Sequence, residues 1–343
     1  MEKIFKALPA ALLPWYRENR RELPWREDKE PYHIWLSEIM LQQTRVEAVR
    51  GYYARFLEAL PTIADLAGAD DELLHKLWEG LGYYSRVRNL KKAANVIVKD
   101  CGGTFPKDYN EVLALPGIGS YTAGAISSIA FNQPTPAVDG NVLRVVARLT
   151  DDDTPVDTPQ YRKQVEQQLS AVYPAEAGDF TQALMELGAT ICGPNRAPDC
   201  KLCPCQSFCK GQHRAMELPK RSPKRPRKEE EHSVFIVTCG EQIALTKRPE
   251  KGLLAGLWQF PDVVGNLSGQ EAIDRAGEMG FSVSDLLYEV EKTHLFTHIT
   301  WKMRGIYLRT TSMCPDYEWL TAEEIRTRAA LPTAYRQFFE EIR

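Results

Sequence analysis

The chain contains no run of eighteen apolar residues, which excludes a membrane-spanning helix. It has no large surplus of either charge sign: 43 Lys and Arg stand against 46 Asp and Glu, a formal net charge of −3. That balance counts against a uniformly basic nucleic-acid binder, although phosphate contacts need only a local basic face. No internal repeat is visible. No signal peptide is read, because Met1 to Lys6 alternates in charge and Pro9 and Pro14 are expected to interrupt the next stretch. A cytoplasmic location is therefore expected, in which the eight cysteines stay reduced. The 343 residues, 43% of them hydrophobic, suffice for two domains with their own cores.

Four cysteines fall in one compact run: Cys192, Cys200, Cys203 and Cys209, with gaps of seven, two and five residues. The loop that carries them is rich in proline and poor in apolar residues, so it needs a metal to order it. Four thiolates this close point to a metal or iron–sulfur site. Only Cys200 and Cys203 form a Cys-x-x-Cys pair, whereas a structural zinc ribbon has two. A four-iron, four-sulfur (4Fe-4S) cluster is favoured, with zinc and free thiols as alternatives. Cys205 lies between the last two candidates and is read as a spare thiol.

From Ala10 to about Gln212 the pattern is helical, with segments at 34–54, 70–81, 87–99, 109–115, 120–130, 141–149 and 180–191. Residues 219–228 are dense in Lys, Arg and Pro, an extended linker that also offers phosphate contacts. The acidic triplet Glu229 to Glu231 marks a boundary. Beyond it, 232–238, 243–246 and 300–308 are β-rich, while 271–279 and 322–330 read as helices. The expected architecture is multi-domain: an all-α domain at 1–212 with its cysteine loop at 192–209, a basic linker at 213–231, and a smaller α+β domain at 232–343.

Three features of the first domain carry chemistry. Leu115-Pro116-Gly117-Ile118-Gly119 reads as a tight turn between two helices. Gly117 and Gly119 allow close approach of another backbone, and the next helix start, at Ser120, offers free N–H groups to a phosphate. Asp139 precedes a helix, either as its cap or as a catalytic acid. Glu38 shares a helical stripe with Ile34 and Leu41. A carboxyl on or beside an apolar face is pushed towards its protonated form, as a general acid requires. The plainer alternative is a rim glutamate paired with Arg26 or Arg45.

Taken together, Glu38 to Val46, the Leu-Pro-Gly-Ile-Gly hairpin, Val138-Asp139-Gly140-Asn141-Val142 and the cysteine loop resemble the adenine DNA glycosylases of the MutY type. That branch belongs to the helix-hairpin-helix superfamily that includes endonuclease III, and the resemblance covers essentially the whole chain. It implies a 4Fe-4S cluster on Cys192, Cys200, Cys203 and Cys209. It also implies a monomeric repair enzyme that removes adenine opposite 8-oxoguanine or guanine from duplex DNA, with no membrane partner. Glu38 would protonate the departing adenine and later help activate water. Asp139 would stabilise the oxocarbenium-like sugar or trap it covalently, and Tyr121 would lie near it. Ser120 stands where bifunctional relatives carry a Schiff-base lysine, so a monofunctional glycosylase is expected. Trp25, Arg26, Leu41 and Gln182 would line the adenine pocket. Gln42, Gln43, Thr44, Leu81 and Tyr83 would fill the gap left by the flipped base and touch the lesion strand.

The C-terminal domain resembles a Nudix fold, in which Phe296, Thr297 and His298 align with a loop that probes 8-oxoguanine. The family usually has serine in the middle. The Nudix glutamate cluster is missing around Arg275-Ala276-Gly277-Glu278, so recognition rather than hydrolysis is implied. The first cysteine gap is one residue longer than usual, and a local bulge with an intact cluster is expected. Three rivals remain: a glycosylase for other mismatches or oxidised pyrimidines, a non-catalytic iron–sulfur DNA sensor, and a Nudix hydrolase with a DNA-binding appendage.

Overall fold

The computed structural model describes residues 2–223 and 226–342. Lys224 and Arg225, part of the expected basic linker, lie outside the described residues. The chain divides into two compact units: 1–68 with 89–223, and 69–88 with 224–343. Residues 69–88 thus group with the C-terminal unit, although the sequence reads them as part of an unbroken helical domain.

The helices in chain order are α1 (Glu2–Asn19), α2 (Pro31–Leu41), α3 (Val46–Ala59), α4 (Ile63–Gly68), α5 (Asp71–Leu77), α6 (Ser85–Asp100), α7 (Tyr109–Ala114), α8 (Ser120–Ile129), α9 (Gly140–Thr150), α10 (Pro159–Ser170) and α11 (Ala177–Thr190). The core of the first unit forms around α1, α9, α10 and α11. Ile4, Phe5, Leu8, Leu12 and Tyr16 make one buried stripe of α1 against Val142, Val146, Val165 and Leu184. That stripe explains a departure from expectation. Helix α1 runs unbroken through Pro9 and Pro14. Each proline removes one helical hydrogen bond, but burial of six large side chains outweighs the loss.

A second departure lies at the site. The single helix expected over 34–54 is two, α2 and α3, broken at Gln42 to Arg45 with Gln43 at φ +59°. Neither Gly nor Pro marks this break, so propensity alone passes through it.

The second unit is a mixed sheet of β1 (Lys228–Cys239), β2 (Gln242–Lys247), β3 (Trp258–Gln259), β4 (Asp262–Val264), β5 (Val283–Leu295), β6 (Ile299–Thr310) and β7 (Glu318–Thr321). Strand order is β3-β2-β1-β6-β5, with β4 on β1 and β7 on β2, and β1 runs parallel to β6. Alternation sends Val234 and Ile236 to one face and Phe235 and Val237 to the other. Helix α12 (Gly269–Glu278) covers the second face, α13 (Ala322–Thr327) and α14 (Thr333–Phe339) the first. Glu229 to Glu231, read as a boundary, are strand residues of β1 paired with Thr300 to Lys302. The linker therefore ends earlier than expected. Its first half is also tied down, since Ser222 donates to Asp157 and Val156 N–H donates to the Lys220 carbonyl.

Candidate active site and nucleic-acid interface

Glu38 sits on α2 with its side chain buried. The Tyr121 hydroxyl, from the first turn of α8, donates to Glu38 Oε2. Burial pushes the Glu38 carboxyl up to about 7. The Tyr121 bond opposes that shift, and the nearby Asp139 charge adds to it. The same burial, with the charges of Glu38 and Asp139, holds the Tyr121 hydroxyl far above its usual range, so it stays a neutral donor. The ion pair with Arg26 or Arg45 considered for Glu38 is replaced by this hydrogen bond.

Asp139 combines the two roles weighed for it. Its Oδ1 caps α9 by accepting Val142 N–H at 2.7 Å, and its Oδ2 accepts from Asn141 Nδ2 at 2.6 Å. Burial raises its pKa, moderated by those two bonds. It nonetheless faces the same cavity as Glu38 and Tyr121, a space of about 750 Å³. Trp25, Arg26, Leu41, Gln42, Gln43, Thr44 and Gln182 line that cavity too. Ten of the residues singled out from sequence are thus brought together in the first unit.

The walls of this cavity rest on residues that sequence reasoning missed. Glu186 of α11, its side chain wholly buried, accepts from Arg21 Nε at 2.6 Å and Arg26 Nη2 at 2.8 Å. It fixes Arg26 by a charge-assisted pair. Arg162 of α10 donates to the Val138 carbonyl just before Asp139. Arg144 donates to Asn141 Oδ1 at 2.8 Å and to the Cys192 carbonyl at 2.9 Å. For Glu186 and Arg144 the only sequence signal was charge inside largely apolar helices, whereas Arg162 stands in a polar run and had none.

The hairpin forms as read, between α7 and α8. Gly117 has φ +77°, and a Cβ there would lie 2.5 Å from Asn89 Cβ. Gly119 differs: its φ is −100° and nothing stands within 4 Å of a Cβ built on it. The open side of Gly119 leaves the start of α8 accessible to a phosphate. Ser120 Oγ donates to Glu166 Oε1 at 3.2 Å.

Cys192, Cys200, Cys203 and Cys209 line one small cavity of about 20 Å³ beside α9 and α11. None of the eight cysteines is paired in a disulfide. Arg148 Nη1 lies 3.3 Å from Cys192 Sγ, a cation suited to an anionic sulfur group. Cys205 is buried in the core and does not line this cavity. Among the described residues no group of three His, Cys, Asp or Glu closes on a single ion.

In the second unit, Leu81 is buried and Tyr83 is exposed at φ +48°. Their loop is held by Arg86, which donates to the carbonyls of Leu81 at 3.0 Å and Gly82 at 3.1 Å. Phe296, Thr297 and His298 form the β5–β6 turn, with Thr297 and His298 exposed. The Tyr83 hydroxyl is 2.7 Å from Thr297 Oγ1.

A helical unit with a buried acid and a second carboxylate on one cavity, and a helix-hairpin-helix turn, has the make-up of a base-excision enzyme, and the comparisons with known proteins show that class. Residues 36–174 match the HhH-GPD superfamily of base excision DNA repair proteins, and residues 233–341 match the NUDIX domain. The helical unit resembles a solved thermostable thymine-DNA glycosylase (28% identity, TM-score 0.56), over 62% of this chain and 97% of that one. Endonuclease III bound to DNA shares the fold at TM-score 0.54. Adenine DNA glycosylase of Rattus norvegicus is 37% identical over 96% of this chain and 76% of its own. The Homo sapiens enzyme is 36% identical over 97% and 73%. The chain belongs to the adenine DNA glycosylase family.

Proposed function

We propose that this protein is a monofunctional glycosylase that hydrolyses the N-glycosidic bond of adenine opposite 8-oxoguanine or guanine in duplex DNA. The observation that carries this reading is the enclosure of Glu38, Tyr121 and Asp139 in one cavity, with Glu38 titrating at about 7. An adenine rotated out of the stack enters between Trp25, Arg26, Leu41 and Gln182. Tyr121 donates to Glu38 Oε2, which leaves Oε1 to carry the acid proton that is passed to the adenine ring. Proton transfer to N7 makes the base a neutral leaving group. Asp139, held by Val142 and Asn141, supplies negative charge to the oxocarbenium-like sugar. The Glu38 carboxylate left behind then takes a proton from the attacking water. The logic is that of a two-carboxylate glycosidase, applied to a C–N bond.

Ser120 has no amine to form a Schiff base, so the strand is left intact. Thr297 and Tyr83 meet the strand opposite adenine. A 4Fe-4S cluster held by Cys192, Cys200, Cys203 and Cys209 orders the loop that carries Lys201 and Lys210 towards phosphate. Four free thiols around one cavity, with Arg148 beside them, suit that group. The test is single-turnover adenine release from an A·8-oxoguanine duplex, with and without an alkali step. Strand breakage only after alkali supports the reading. Breakage without alkali overturns its monofunctional part, and no release overturns the substrate.

A further inference from the structure

Behind the β5–β6 turn lies a polar stack that no step of the reaction uses. Trp301, 2% exposed, is its centre. The Phe296 ring packs edge-on against Trp301 at 4.8 Å, and the His232 ring lies tilted against it at 4.3 Å. Trp301 Nε1 donates to Glu230 Oε2 at 3.0 Å. His232 is buried, with a carboxylate facing each of its ring nitrogens. Nδ1 lies 3.3 Å from Asp262 Oδ2 and Nε2 3.6 Å from Glu230 Oε2. Asp262 is in turn fixed by the Tyr335 hydroxyl at 2.9 Å.

What the arrangement provides is a flat, stiff floor under Phe296. The turn is short. Phe296 N–H donates to the Ile299 carbonyl at 2.8 Å, so a fixed Phe296 fixes Thr297 next to it. Lys228 N–H donates to the His298 carbonyl at 3.1 Å and holds the other flank from the same strand that carries Glu230 and His232. Thr297 is left with its hydroxyl 2.7 Å from the Tyr83 hydroxyl.

The geometry points to Trp301, with Glu230 and His232 behind it, as positioning residues for discrimination between 8-oxoguanine and guanine. This rests on the reading of the Phe296–His298 turn as the element that meets the base opposite adenine. None of the three touches that base. They set where the Thr297 hydroxyl stands, and rigidity of the turn converts one hydroxyl into a selective contact.

The experiment measures adenine release from A·8-oxoguanine and A·G duplexes with the full-length protein, and takes the ratio of the two rates. Thr297→Ala, Trp301→Leu, Glu230→Gln and the Thr297→Ala/Trp301→Leu double variant are compared, with a melting curve for each. The expected result is a fall of about tenfold in the ratio for Trp301→Leu, a smaller fall for Glu230→Gln, and no further fall when Thr297→Ala is added to Trp301→Leu. Release from A·G is retained in Trp301→Leu and Glu230→Gln. If Trp301→Leu melts early, Glu230→Gln alone decides. An unchanged ratio in the folded variants, or an additive loss in the double variant, overturns the inference. An unchanged ratio in Thr297→Ala overturns the reading of the turn itself, and the inference with it.

Discussion

The Tyr121 hydroxyl donates to the Glu38 carboxyl, and the two residues hold each other in their working forms. Burial and two neighbouring carboxylates keep the phenol neutral, and the phenol moderates the rise in the Glu38 pKa to about 7. Tyr121→Phe removes that moderation. The Glu38 carboxyl then stays protonated to a higher pH. The alkaline limb of the single-turnover profile moves up, while the maximal rate falls because the acid proton is no longer confined to Oε1. A limb that moves down contradicts this account of the pair.

Glu38 also links stability to pH. Its folded pKa, about 7, lies above the ordinary glutamate value of 4.5, so folding favours the protonated form. The contribution is fully present below about 4.5 and lost as pH rises through about 7. Glu38→Gln mimics the protonated form. It is expected to be more stable than the wild type at alkaline pH, by up to about 3 kcal/mol, and no more stable at acid pH. Denaturant unfolding at the two pH values measures the difference.

The two hairpin glycines separate fold from grip. Gly117→Ala forces a side chain into a left-handed backbone 2.5 Å from Asn89 Cβ, and destabilises by about 1–3 kcal/mol. Gly119→Ala meets nothing within 4 Å and leaves thermal stability nearly unchanged. It stands in the open side of the helix start, so duplex binding weakens by about tenfold, the worth of one hydrogen bond. Melting curves and binding titrations should therefore rank the two variants in opposite orders.

Ser120→Lys tests the absence of lyase chemistry. The new ammonium would stand beside Glu166, whose carboxylate now accepts from Ser120 at 3.2 Å. That partner keeps the amine protonated and a poor nucleophile. The single variant is expected to give weak strand cleavage without alkali, and Ser120→Lys with Glu166→Gln to give more. Borohydride trapping of the covalent complex reads both.

The thiols divide in the same testable way. Cys200→Ser removes one of the four that line the common cavity, while Cys205→Ser alters a core thiol outside it. Iron content and the visible absorbance of purified protein should fall in the first variant and persist in the second.

Much of this site was legible in the sequence because it obeys local rules. Glu38 announces itself by its place on an apolar helical stripe. Asp139 does so by standing before a helix, and the hairpin by its two glycines. The partners were not legible. Tyr121 meets Glu38 across 83 positions and Glu186 meets Arg26 across 160, pairings that only packing creates. The break between α2 and α3 carries no glycine or proline, and α1 overrides the two prolines it does carry. Helix α10 escapes the helical pattern because only Tyr161, Val165 and Leu169 are apolar and buried in a polar run. The meeting of Tyr83 with Thr297, 214 positions apart, joins a segment that reads as part of the helical domain to a β turn.

The most direct test of the central claim is the pH dependence of single-turnover adenine release from an A·8-oxoguanine duplex, for the wild type and Glu38→Gln. A protonated Glu38 predicts a wild-type rate that falls as pH rises through about 7. It also predicts a Glu38→Gln rate lower by about a hundred- to ten-thousand-fold, with that limb gone. A wild-type rate that holds level across neutral pH, or a Glu38→Gln variant that releases adenine at the wild-type rate, would contradict it.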